Sequence, residues 1–316
     1  DRVKTAEVAL GSSQKTRAGY FKNVEIFEST STTNLTADIN GLSVVNHVIS
    51  SGAITATTDA NAATDGADGI FATLDSTDIL EVRASVTGEG GGNATVADTT
   101  TVGNTGGDGI DLNPKIDTGS NIATLRLAGT VTVTGGVGER SKGEANSTGG
   151  AGGHALIADT IDTLNLVGVN TAATAATANT VTFTAGAGGT TNNTNATAGA
   201  AGSSITVAAN SKIVLTNEVD PFTSTAKAVG ASNFVLGTVK GTNVEVDGSA
   251  LTGSLSVTAA DGNVIIKGGA GADTITGGAG IDTISGGAGN DVLNPAGGAD
   301  TITTGAGADH IDFAAA

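Results

Sequence analysis

The chain has 316 residues, 49 of them glycine, and carries 14 Lys plus Arg against 31 Asp plus Glu, a formal charge of −17. That balance argues against a nucleic-acid partner, which needs a basic face for phosphate, and suits cations or plain solubility. Cysteine is absent, which removes disulfides and thiolate metal sites, and aromatics are only 3%, so thin stacked β-layers are expected rather than a thick globule.

Almost every apolar cluster alternates with period two and is built from Val, Ile and Thr, which predicts strands; helical signals are nearly absent. In chain order these are 79–83, 124–127, 130–134, 163–166, 180–184 and 212–215. They recur in a larger unit. TVTVTGG (130–136) opens a Gly-rich excursion that returns at HALIADTIDTLNLVG (154–168), and TVTFTAG (180–186) opens another that returns at SSITVAANSKIVLTN (203–217), an offset of 50 residues for much of the length. SVTGEGG (85–91), returning through GSNIATLRLAG (119–129), is a looser third copy. Repeats of this size predict a linear array in which each unit buries its apolar edge on its neighbours.

The excursions, 88–109, 135–153 and 185–202, are Gly, Ala, Asn, Thr and Ser. They carry no apolar periodicity and are expected to be solvent-exposed surface loops without a core, or self-assembly contacts. The expected organisation is an N-terminal β region over 1–84 that continues the array, a repeated β-array with long Gly-rich loops over 85–249, and a solenoid passing into a nonapeptide roll over 250–316.

From residue 268 a nine-residue template takes over: GGAGADTIT, GGAGIDTIS and GGAGNDVLN, followed by the weaker PAGGADTIT and TGAGADHID. Position six holds Asp273, Asp282, Asp291, Asp300 and Asp309; position eight holds Ile275, Ile284, Leu293, Ile302 and Ile311. The apolar column extends upstream in phase through Val257 and Ile266, where position six is Leu255 and Val264. The triplets suit three-residue strands with the middle side chain inward, and the glycines suit tight turns with positive φ. A coil of two turns and two strands uses 18 residues, placing Asp273 under Asp291, Asp282 under Asp300 and Asp291 under Asp309, about 4.8 Å apart. Two carboxylates that close repel by about 3 kcal/mol at an effective dielectric of 20. Several such pairs rival a domain's net stability of about 5–15 kcal/mol. A hard divalent cation taking carboxylate and carbonyl oxygens relieves this. Calcium fits where the tight octahedron of Mg²⁺ and the His or Cys ligands of Zn²⁺ do not.

The template resembles the RTX (repeats-in-toxin) calcium-binding family, with the signature GGxGxDxUx. The resemblance implies an all-β chain, an elongated parallel β-solenoid ending in an RTX-type calcium-binding β-roll. It also implies several Ca²⁺ ions held by the five aspartates and, through backbone carbonyls, by Gly269, Gly271, Gly278, Gly280, Gly287 and Gly289. It further implies type I secretion and an extracellular location. VEVDGSALTGSLSVTAADGNVIIKGGAGADTITGG (244–278) is similar to RTX-containing surface-layer proteins of Gram-negative bacteria. That similarity implies a structural, self-assembling cell-surface protein, with cell-surface polysaccharide as a further partner. The alternative is the stalk or ligand-binding module of a large RTX adhesin, in which Thr-x-Thr rows such as Thr130/Thr132/Thr134 and Thr180/Thr182/Thr184 face a ligand.

Weaker candidates remain. GGDGIDLNP (106–114), with Asp108 and Asp111, is a candidate isolated calcium turn. GGAGGHALI has His154 where the template has Asp. Asp59, Asp65, Asp68, Asp75 and Asp78 form an acidic stretch, and glycosylation sequons occur at Asn34, Asn93, Asn146, Asn192 and Asn195. No HExxH, GxSxG, P-loop or cysteine nucleophile is present, and His47, His154 and His310 stand apart, so no enzymatic activity is expected. No stretch reaches the ~18–20 apolar residues of a membrane span. The absence of Met, even at the start, is expected of a processed product or part of a longer protein.

Overall fold

The computed structural model describes residues 2–5, 26–29, 35–38, 47–56, 65–74, 78–91, 104–114, 121–139, 147–170, 178–191, 197–219, 231–260 and 262–313. Among them there is no helix, and every strand pairing is parallel. The first sheet runs in chain order from Arg2–Thr5 through Ile79–Val82, Ile122–Ala128, Thr163–Asn170 and Lys212–Val219 to Thr301–Ala306. The second faces it and runs from Leu35–Asp38 through Ile110–Pro114, Ser232–Lys240 and Thr274–Thr276 to His310–Ile311. This is a β-solenoid, each coil contributing a strand to both sheets.

Period-two alternation puts one apolar residue per coil in each column of the core. One column is Val48, Leu80, Leu125, Leu166 and Leu215; another is Ile213, Val246, Ile266 and Ile284, all buried. These side chains are medium-sized aliphatics, so the two sheets enclose a thin core, as the low aromatic content requires. The coil length varies along the stack. Partners Leu164 and Ile213 lie 49 residues apart, Ile213 and Val246 33, Val246 and Ile266 20, and Ile266 and Ile284 18.

The excess length is inserted at one place. In the wide coils the second sheet has two rows: Ile54–Thr55, Val86–Thr87, Val131–Thr134 and Asn179–Thr184, then Ile70–Leu74, Ile110–Pro114, Leu156–Ala158 and Ile205–Val207. The single strand Ser232–Lys240 pairs with the last member of both, Ser232 to Val235 against Asn179 to Thr182 and Val239–Lys240 against Ile205–Thr206. Each Gly-rich excursion therefore splits one strand of the coil into two halves. Where the halves rejoin, Gly237 takes φ 62°, and a Cβ there would sit 2.3 Å from Ser204 Oγ.

The excursions differ from the surface loops expected of them. Gly186 N–H donates to Gly153 O (2.9 Å) and Gly189 N–H to Gly150 O (2.8 Å), three residues forward on one segment and three back on the other. Between outgoing segments, Gly135 N–H donates to Thr184 O (3.0 Å) and Gly138 N–H to Ala187 O (2.9 Å). Between returning ones, Gly106 N–H donates to Ala151 O and Gly109 N–H to His154 O (both 2.9 Å). A repeat of three residues with every bond directed sideways is the signature of polyproline II-like helices, which make no internal hydrogen bonds and leave each N–H and C=O for a neighbour. Outgoing and returning segments run antiparallel, with a Cβ at Gly135 falling 2.0 Å from Gly153 O, and outgoing neighbours are as close, with a Cβ at Gly136 1.8 Å from Glu89 O and one at Gly189 1.7 Å from Glu139 O. Carboxylates complete the network where no carbonyl reaches: Glu139 Oε2 accepts from Asn104 N–H (2.8 Å) and Asp65 Oδ1 from Thr105 N–H (2.8 Å). The described excursion residues thus form a second, side-chain-poor core made of backbone.

Candidate metal centre

The 18-residue coil sets the geometry of the acidic turns. Thr274 pairs with Val292 and Thr283 with Thr301, so turns of the same parity stack along each edge of the roll. The aspartates do not simply face one another. Each Oδ1 accepts the backbone N–H eighteen residues earlier: Asp273 from Leu255 (2.7 Å), Asp282 from Val264 (3.0 Å), Asp291 from Asp273 (2.9 Å), Asp300 from Asp282 (2.9 Å) and Asp309 from Asp291 (3.1 Å). The column is a ladder of amide-to-carboxylate bonds, and its first rungs rest on Leu255 and Val264, where the apolar solenoid ends.

The second carboxylate oxygens separate the turns. Asp273 Oδ2 accepts from Gly269 N–H (2.8 Å), whereas Asp282 Oδ2 and Asp291 Oδ2 are buried with no partner. Backbone conformation changes with them. Template positions two and four have positive φ in Gly278/Gly280, Gly287/Gly289, Ala296/Gly298 and Gly305/Gly307, but not in Gly269/Gly271. Burial pushes the Asp273 carboxyl up to about 6, against the hydrogen bonds from Leu255 and Gly269 and with the Asp291 charge. Burial also raises Asp282, with the Asp300 charge adding to it. Buried, partnerless carboxylate oxygens next to left-handed glycine turns form an all-oxygen environment suited to a hard cation. Among the described residues no three His, Cys, Asp or Glu side chains cluster as a metal site, so the backbone carbonyls must supply part of any ligand set.

Residues 256–284, 267–302 and 285–315 match the RTX calcium-binding nonapeptide repeat, in four copies. These are RTX repeats. No curated protein and no solved structure matched the chain. RTX nonapeptides are calcium-binding motifs, and the chemistry of Asp282 and Asp291 agrees with that ligand.

Outside the RTX roll, Asp108 and Asp111 lie at the start of Ile110–Pro114, with Gly106, Gly107 and Gly109 taken up by the glycine layer. Asp68 Oδ1 accepts from Asp108 N–H (2.9 Å), Asp108 Oδ1 from His154 N–H (2.6 Å), and His154 Nδ1 from Ser203 N–H (2.8 Å). This second ladder climbs the seam between glycine layer and second sheet, and sequence reading missed it because its rungs are 40, 46 and 49 residues apart. Burial raises Asp108 to about 7 and Asp111 to about 6, with the neighbouring acids Asp68 and Asp159 adding to each. His47 lies in the first sheet against buried Glu81 (3.0 Å), which also meets Arg83 (2.5 Å) and Arg126 (3.2 Å), and His310 is exposed on the last coil. Asp65 and Asp78 are not in the RTX turns. Asp59, Asp75 and the five sequon asparagines lie outside the described residues.

Proposed function

We propose that this chain is a secreted, non-enzymatic structural protein, a calcium-dependent self-assembling subunit of a surface layer or extracellular filament. The observation that carries this reading is the parallel stack that narrows, strand by strand, into an RTX roll with buried carboxylates. Calcium supplies positive charge between turns; the chain supplies the rigid ladder that holds Asp282 and Asp291 in place. RTX proteins typically leave the cell by type I secretion, and external calcium is then available to stiffen the roll. Parallel sheets stiffened this way suit lateral packing of copies, with cell-surface polysaccharide as an anchor. Among the described residues no helix is long and apolar enough to cross a membrane. Electron microscopy of the purified chain in millimolar calcium should show sheets or fibres that disperse in EGTA. A holo-protein that stays monomeric at high concentration would overturn the reading.

A second reading, the ligand-binding module of an RTX adhesin, is favoured by one feature. Thr55, Thr87, Thr134 and Thr184 stand in register on successive strands, beside Thr132 and Thr182. The strand spacing of about 4.8 Å repeats one hydroxyl and one methyl per rung along the row. Glycan-array binding lost on Thr132→Lys with Thr182→Lys, without loss of assembly, would select this reading over the first.

A further inference from the structure

Three spaces in the roll are flanked by two aspartates: between the turns of Asp273 and Asp291, of Asp282 and Asp300, and of Asp291 and Asp309. By the repeat alone they are equivalent. Two linked features of the structure set Asp273 apart from Asp282 and Asp291.

The first is hydrogen bonding. Asp273 has both oxygens occupied, by Leu255 N–H at 2.7 Å and Gly269 N–H at 2.8 Å. Asp282 and Asp291 each have one oxygen occupied and the other buried and bare. The second is backbone conformation. Gly269 and Gly271 lack the positive φ that their counterparts show in all four later turns. With φ in its ordinary range, Gly269 N–H reaches its own carboxylate and closes the turn, while at Gly278 and Gly287 (φ 98° and 103°) the carboxylate is left open. The placement of the second oxygens is shared by all three. A Cβ built on Gly268 would fall 2.3 Å from Asp273 Oδ2 and 2.1 Å from Gly286 O, one on Gly277 2.4 Å from Asp282 Oδ2 and 2.9 Å from Pro295 O, and one on Gly286 2.4 Å from both Asp291 Oδ2 and Thr304 O. Each second oxygen therefore borders the space shared with the turn eighteen residues later, next to a backbone carbonyl of that turn, and only at Asp273 is it already taken by an amide, Gly269 N–H.

Resting on the calcium reading above, we infer that the RTX roll holds two cations, one on each edge, between turns 277–282 and 295–300 and between turns 286–291 and 304–309. Asp273 is not a ligand. It is a cap that joins the apolar solenoid to the roll by satisfying the amides of Leu255 and Gly269. The space between the turns of Asp273 and Asp291 is closed by the protein's own hydrogen bonds.

Native mass spectrometry of the full chain titrated with Ca²⁺, together with Tb³⁺ luminescence, counts the sites. The unmodified protein should bind two ions. Asp282→Asn and Asp291→Asn should each bind one, on opposite edges, and Asp273→Asn should still bind two, although its melting temperature falls. Three or more ions on the unmodified chain, or an ion lost from folded Asp273→Asn, would overturn the assignment while leaving calcium binding intact. If Asp273→Asn fails to fold, the count on the unmodified chain decides alone. No bound ion at all would overturn the assignment and the calcium reading together.

Discussion

Asp273 and Asp291 occupy the same template position, eighteen residues apart, and differ only in what surrounds their second oxygen. The raised carboxyls fix how metal-free stability responds to pH. Asp273 at about 6 and Asp108 at about 7 hold protons in the folded chain that the unfolded chain, with ordinary carboxyls near 4, has already released. Stability from these groups therefore falls as pH rises from about 4 towards 7. Glu81 acts in the opposite sense. Burial opposes its charge, but the His47 hydrogen bond and the Arg83 guanidinium hold it at about 2, so its contribution is present above its unfolded value and lost as pH falls towards 2. Melting curves in EGTA should peak between about pH 4 and 5; a midpoint climbing from pH 5 to 7 would contradict this. A further test concerns Ala296, which has φ 61° at a position where the template has glycine. A side chain in left-handed backbone costs about 1–2 kcal/mol. Ala296→Gly should recover about 1 kcal/mol, read as a higher denaturation midpoint. The aspartate spacing and phase were legible in the sequence because both follow a fixed period; the closure of Asp273 was not, because it depends on the φ of a glycine whose type is the same in every repeat.

Strand elements were equally open to reading. The 50-residue offset between TVTVT and TVTFT appears as the pairing of Val131 with Val181 and Thr134 with Thr184, and the upstream apolar column appears as Val257 over Ile275 and Ile266 over Ile284. The glycine layers were hidden. Strand and helix periods are recognised through side chains, and an element bonded only through its backbone shows nothing but glycine spacing, such as Gly135/Gly138, Gly150/Gly153 and Gly186/Gly189. That origin makes the layers sensitive to a single methyl. Gly136→Ala or Gly189→Ala places a carbon inside van der Waals contact with a fixed carbonyl, and the cost should reach about 3 kcal/mol, the upper end for overpacking. Hydrogen exchange should accelerate across 135–139, 147–153, 185–191 and 197–202, while amides of Ile122–Ala128 and Thr163–Asn170 stay protected. Unchanged exchange in the excursions would show that they are not cohesive layers.

At the scale of the whole molecule, the stack joins two stabilising regimes. The wide coils bury aliphatic columns and glycine backbone; the narrow coils have one inward residue per triplet and unpaired buried carboxylates. Chelation should therefore act from one end. In EGTA, exchange protection should drop over 277–313 and persist in Ile122–Ala128, Thr163–Asn170 and Lys212–Val219, and an equal loss over both would contradict a division of labour.

The splitting of Ser232–Lys240 into the paired rows above it has a practical consequence. Because every excursion leaves and rejoins the coil at the same seam, the girth of the rod can change without altering its rise per turn. Excising 185–203 should let Thr182 run on to Ile205 through three residues, as its partner Val235 runs on to Val239, trimming the column locally while the turns above and below keep their places. A scaffold of this kind accepts cargo at its waist, independently of its length.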